Sequence, residues 1–186
     1  GLAAIAVECF SLVQERRVTA CLALAQLNSE GTVATCEGDL ASMAGMMLGM
    51  ALTDHVPWMA NTTLLTEKTL ILSHCTAPFG MVSQVKLPSH YETGWSLAVD
   101  GEITAREVTV YRFSENLDRV FIAEGRVVSR PHMEDACRTQ VEIELPKEAL
   151  RVLREKPLGN HLLLSPGKHS ELLRLASWYK GIEPVT

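Results

Sequence analysis

The chain has 186 residues, 47% of them apolar, enough for one large core or two small ones. A formal charge of −5 argues against a general nucleic-acid binder, which shows a basic face, and no apolar run reaches the ~20 residues that cross a bilayer. Five cysteines, odd in number and without a CxxC pair, do not make a secreted disulfide framework and fit a reducing cytoplasm.

Residues 1–10, from Gly1 to Phe10, read as a buried strand rather than a translation start or a signal peptide. They point to a fragment of a longer protein whose sheet begins upstream, the alternative being a cleavage scar before a complete domain. The stretch 19–27 carries good helix formers and stops at Asn28 and Gly31. A strand over 33–37 follows and ends on Glu37. Gly38 gives a tight turn, and the Asp39 side chain is placed to cap a helix over 40–52. That helix contains Gly45 and Gly49, a GxxxG spacing that suits close packing on a sheet. Strands over 56–61 and 69–74 end on Asn61 and His74. This βαβ rhythm predicts a parallel sheet.

Past His74 the character changes. Residues 75–80 form a loop, and short β patterns begin near Val82. A strand over 97–99 precedes a predicted Asp100-Gly101 turn. Residues 107–112 alternate with period two, strands 120–123 and 126–128 flank a predicted turn at Glu124-Gly125, and 139–145 alternate again up to Pro146. Residues 162–164 supply a last strand. A short helix spans 147–154, and an amphipathic helix over 170–179 closes at Gly181. The fold expected is α/β followed by β: residues 1–76 as the carboxyl-terminal part of a Rossmann-like α/β domain, and 77–186 as a small antiparallel β-barrel with a terminal helix.

If the first strands are parallel, Glu37, Asn61 and His74 lie side by side at their carboxyl ends, where open α/β sheets place ligands. His161, after Gly159-Asn160, is a fourth candidate. Oxygen and nitrogen donors of this kind suit a divalent cation. Each residue also has an ordinary reading: an ion pair or second helix cap for Glu37, a backbone-bonded core histidine for His74, a turn for His161. His90, at the start of the barrel, is placed to reach a substrate, whereas His55, His132 and His169 lie in polar turns. Cys36 and Cys75 adjoin two of the proposed ligands, so a zinc site using both thiols stays open, although strand neighbours point to opposite faces.

The segment Thr35-Cys36-Glu37-Gly38-Asp39, continuing through Met46–Gly49, Leu52-Thr53 and Ala60-Asn61, resembles the part of the L-fucose isomerases that carries a catalytic glutamate. Val108–Arg112 and Ile122–Gly125 resemble the barrel strands that follow, and Gly159-Asn160-His161 resembles the Asn-His that carries the family's metal-binding histidine. The chain as a whole is similar to the carboxyl-terminal half of the L-fucose and L-arabinose isomerases, nearest to the shorter fucose-isomerase-like members.

The resemblance implies a cytoplasmic homo-oligomer that isomerises a sugar between aldose and ketose through an enediol. It implies a divalent metal, Mn²⁺, held by Glu37, Asn61, His74 and His161, with His74 matching the arabinose branch. Glu37 would be the catalytic carboxylate, and Asp39, His90 and Asn160 would contact substrate. Asn61 stands where the fucose enzymes have an aspartate that also moves protons. An amide oxygen can coordinate a metal but cannot act as a general base. That substitution keeps two other readings open: a non-catalytic metal- and sugar-binding or regulatory protein, and a lyase or epimerase acting on a sugar acid.

Overall fold

The computed structural model describes residues 2–185; Gly1, the first residue of the expected opening strand, lies outside them. Strand β1 (Ala4–Ala6) pairs in parallel with β2 (Val33–Thr35), from Ala4↔Val33 to Ala6↔Thr35. The expected strand over residues 1–10 therefore stops early. Glu8 accepts hydrogen bonds from the backbone of Phe10 and Ser11, satisfying donors that have no partner inside a helix, and so starts α1 (Cys9–Arg16). Helix α2 (Cys21–Ser29) leads into β2, and α3 (Leu40–Thr53) follows the turn at Glu37.

Strands β3 (Trp58–Leu65) and β4 (Thr69–His74) overturn one expectation. They are antiparallel to each other, not further strands of a parallel sheet. Beyond them lie a short β5 (Val82–Lys86), β6 (Asp100–Ile103), β7 (Glu107–Phe113), β8 (Arg119–Ser129) and β9 (Thr139–Glu144). Helix α4 (Lys147–Glu155) separates these from β10 (His161–Pro166), and α5 (Ser170–Tyr179) precedes β11 (Glu183–Pro184). The order β8-β7-β10-β3-β4-β9, with β9 returning to β8, closes a six-stranded antiparallel barrel. The architecture is thus mixed α/β: a small parallel pair with helices, a closed barrel that begins at Trp58 rather than after residue 76, and a carboxyl-terminal helix.

Two apolar clusters explain why these strands look like parallel ones. Trp58 and Ala60, Leu70 and Leu72, Val108 and Val110, Phe121 and Ala123, Val141 and Ile143, and Leu162 and Leu164 form a cluster fed by all six barrel strands. The intervening Met59, Tyr111 and Leu163 pack outward against Met46 of α3 and Val33 and Ala34 of β2. Strands buried on both faces read as continuous apolar runs, which is also the signature of a parallel sheet covered by helices.

Two expected turns are strand interiors. Gly101 lies in β6 and Gly125 in β8, and a Cβ at either would fall 2.8 Å from Val82 Cβ or 2.6 Å from Ile143 Cγ2. Glycine permits close approach of neighbouring strands at these points rather than a reversal. The GxxxG of α3 packs as expected. A Cβ on Gly45 would lie 2.6 Å from Leu163 Cδ1, and one on Gly49 would run into the Tyr111 hydroxyl. Tyr111 donates its hydroxyl proton to the Gly45 carbonyl at 3.1 Å, fixing the helix on the barrel. No helix among the described residues is long and apolar enough to cross a membrane.

Candidate metal centre

The site forms where the β2–α3 turn meets the barrel. After β2, Glu37 and Gly38 both take positive φ (58° and 63°), and the Asp39 N–H donates back to the Cys36 carbonyl at 3.2 Å. Glycine adopts this left-handed backbone freely; a glutamate there costs roughly 1–2 kcal/mol. The strained residue is the one whose carboxylate faces two imidazoles. Glu37 Oε1 lies 3.8 Å from His74 Nε2 and 3.5 Å from His161 Nε2. One donor atom from each of Glu37, His74 and His161 can be chosen so that all lie within 4.8 Å of one another.

The barrel's stagger brings the two histidines together. His74 ends β4 and His161 begins β10, with β3 between them. Asn61, in the interior of β3, is the Cα partner of His161 on one side and of Ser73 on the other. The expected row of strand carboxyl ends is therefore replaced by one strand ending, one beginning and one passing through. The two imidazole rings sit edge to face, with centroids 5.6 Å apart.

A second layer of residues orients the donors. Asp39 Oδ1 accepts the Ser42 backbone N–H at 2.7 Å, the cap that starts α3. Asp39 Oδ2 accepts from Ser42 Oγ (2.8 Å), Arg112 Nη1 (2.7 Å) and His161 Nδ1 (2.9 Å). A carboxylate can only accept, so the proton on that side of His161 is on Nδ1. Nε2 of His161 then points toward Glu37, and it is buried with no hydrogen-bond partner. His74 is arranged alike, with Nδ1 2.9 Å from the Thr76 hydroxyl and Nε2 toward Glu37. Imidazoles held at one nitrogen by an oxygen and offering the other are the usual arrangement of metal-ligating histidines.

Charge reinforces the cluster. The His161 ring, then His74, holds the Glu37 carboxyl well below the usual carboxylate range. Burial alone would raise the Asp39 pKa, but hydrogen bonds from His161, Arg112 and Ser42 outweigh it and hold Asp39 far below normal as well. Burial would also depress His161; Asp39 and Glu37 outweigh it and lift the imidazole to about 9. Without a cation the cluster therefore holds a proton on His161, and a divalent ion bound at Nε2 would replace it. An orphaned buried nitrogen, a second imidazole nitrogen and a carboxylate oxygen facing one point fit such an ion.

A cavity of about 180 Å³ reaches the cluster from the α1–α2 side. Its walls include Glu37 and His74, the polar groups of Gln14, Thr19 and Glu92, and His90, whose Nδ1 lies 3.2 Å from Thr93 Oγ1. His161 sits behind this wall, only 4% exposed. Of the other expected substrate contacts, Asp39 is committed to Arg112, Ser42 and His161, and Asn160 donates its amide to Asn61 Oδ1 at 2.5 Å. Neither residue lines the cavity. Arg112, Ser42 and Thr76 are site residues that the sequence reading did not pick out. The one available signal was Arg112, a lone cation closing the alternating run 107–112. No family model matches the chain, and no curated protein sequence matches it.

Proposed function

We propose that this chain holds a divalent metal, Mn²⁺ being the ion that the resemblance to the L-fucose isomerases implies, and uses it in aldose–ketose isomerisation of a small neutral sugar; oxygen and imidazole donors suit a divalent ion of this kind. The observation that carries this reading is the unpartnered, buried Nε2 of His161, aimed with His74 Nε2 at one oxygen of Glu37. The ion, when bound, supplies Lewis-acid polarisation of two neighbouring sugar oxygens, a contribution on the order of several kcal/mol.

The protein's own part is positioning and proton transfer. His74 and His161 fix the site from two barrel strands, and Asp39 and Arg112 lock His161 in place. Glu37 lies on the cavity wall and is ionised at neutral pH, the form that accepts a proton from a substrate carbon and returns it to the neighbouring one. A well-placed general base contributes roughly 10²–10⁴-fold. Asp39 cannot fill the place of a second base, because both its oxygens are already engaged.

Substrate charge follows from the cavity walls. Among the described residues no lysine or arginine lines them, while Glu37 and Glu92 do. That favours a neutral polyol over a sugar acid. The cavity is also below the ~300–1,000 Å³ of drug-sized pockets, which suits a small sugar. Asn61 favours a second reading, in which the site binds metal and sugar without turnover.

Incubating the chain with Mn²⁺ and L-fucose, L-arabinose and other aldoses in D₂O distinguishes the two. Appearance of the ketose with deuterium at C1, and of recovered aldose with deuterium at C2, both lost in Glu37→Gln, support isomerisation. Saturable sugar binding without exchange supports the binding protein. Neither exchange nor binding with any sugar tested contradicts both.

A further inference from the structure

All five cysteines of the chain line the cavity beside the metal centre. Cys9 Sγ and Cys36 Sγ are in direct contact, 3.0 Å apart, while the Cys75 thiol interacts with both Cys21 and Cys137. Cys9 opens α1 and Cys36 directly follows β2, so the contact ties the start of one helix to the residue preceding Glu37. Cys9 is partly exposed and Cys36 is buried at 4% exposure. The other three thiols, Cys21, Cys75 and Cys137, group separately around Ala98.

We propose that Cys9 and Cys36 are a reversible disulfide site, oxidised by peroxide entering the cavity, that controls the position of Glu37. The roles follow from exposure. The Cys9 thiolate attacks one peroxide oxygen and expels hydroxide, which leaves as water once protonated; Cys9 becomes a sulfenic acid. The Cys36 sulfur then attacks Cys9 Sγ, the S–O bond breaks, and the hydroxyl leaves as water with the Cys36 proton. Two thiols and one peroxide give one disulfide and two waters, and a small thiol reductant reverses the step. A disulfide bond is about 2.05 Å long, so the sulfurs must close by roughly 1 Å. Cys36 is bonded directly to Glu37, whose backbone is already left-handed, and the movement is passed to the metal-binding carboxylate.

The disulfide itself is independent of the reading under Proposed function; its effect on Glu37 rests on that reading. In the test, the reduced chain is treated with stoichiometric hydrogen peroxide, alkylated and digested. The expected product is one crosslink between the peptides of Cys9 and Cys36, lighter by two hydrogens and cleaved by dithiothreitol, with Cys21, Cys75 and Cys137 still alkylated. In Cys36→Ser, oxidation should stop at a Cys9 sulfenic acid that dimedone traps. Mn²⁺ titration of the oxidised chain should show affinity reduced by about 10-fold or more, the scale on which disturbed outer-shell partners act. The proposal is overturned if Cys9 and Cys36 stay alkylatable, if the crosslink maps to other cysteines, or if oxidised and reduced chains bind Mn²⁺ equally. No Mn²⁺ binding by the reduced chain would retire the metal reading and with it the control of Glu37, while the crosslink map would still decide the disulfide.

Discussion

Asp39 does more for the site than its position as a helix cap suggests. One oxygen starts α3, and the other gathers Arg112, Ser42 and the Nδ1 proton of His161. Asp39→Asn keeps the volume but weakens the hold on the imidazole, and Mn²⁺ affinity read by calorimetry should fall about 10- to 100-fold. The proton on His161 gives a second expectation. Its pKa is raised from 6.5 to about 9 in the metal-free fold, so the stability this group contributes is complete below pH 6.5 and is lost as pH climbs through 9. Metal binding runs the opposite way, because the ion must displace that proton. Apparent Mn²⁺ affinity should therefore rise from pH 6 to 9 while the melting temperature of the metal-free chain falls; a flat affinity profile would remove the ion from His161. Asn61 faces His161 across the β3–β10 ladder, with its amide oxygen turned to Asn160. Asn61→Asp should tighten Mn²⁺ binding, since a charged oxygen suits a hard cation better than an amide. Unchanged affinity would place Asn61 outside the coordination sphere.

At the scale of elements, helix α3 joins the site to the barrel. Gly49 faces the Tyr111 hydroxyl and Pro57, and Gly45 faces Leu163. An alanine in a helix interior usually gains about 0.5–1 kcal/mol over glycine. Here the added methyl has no room, and overpacking of this kind costs about 1–3 kcal/mol. Gly49→Ala should lower the melting temperature, and a rise would mean that the helix does not press on the barrel.

The sequence made α2, α3, α4 and α5 legible, because each has its own cap, periodicity or stop signal. It misled where the burial of a strand mimics another topology. Trp58–Asn61 and Thr69–His74 are apolar on both faces, since Trp58 and Ala60 fill the barrel while Met59 packs outward. The stretch from Asn61 to Thr69 is too short for a parallel crossover, which needs a dozen or more residues, and only a hairpin fits it. Gly101 and Gly125 misled in the other direction, since a glycine that admits a neighbouring strand looks in sequence like one that permits a turn. Glu37, His74 and His161 were legible as chemistry, by residue type and position, although the strand arrangement expected to join them was wrong. Thr76 acts only through its contact with His74, which no local pattern announces, and the lone cation Arg112 does not show in sequence that its partner is Asp39.

At the scale of the molecule, the candidate metal centre lies where three segments distant in sequence meet: the turn after the parallel pair, the end of one barrel strand and the start of another. A site assembled across such distances in sequence is present only when the whole barrel has closed, and a bound ion would tie its parts together. The central claim is that Glu37, His74 and His161 hold one divalent ion. Electron paramagnetic resonance of Mn²⁺ titrated into the protein tests it most directly, because the sharp signal of the free aqueous ion is lost on binding. The account predicts that the native chain removes one equivalent of signal, and that His161→Gln and Glu37→Gln each leave most of that equivalent free. A native chain that leaves the signal untouched, or variants that remove it equally well, would contradict the account.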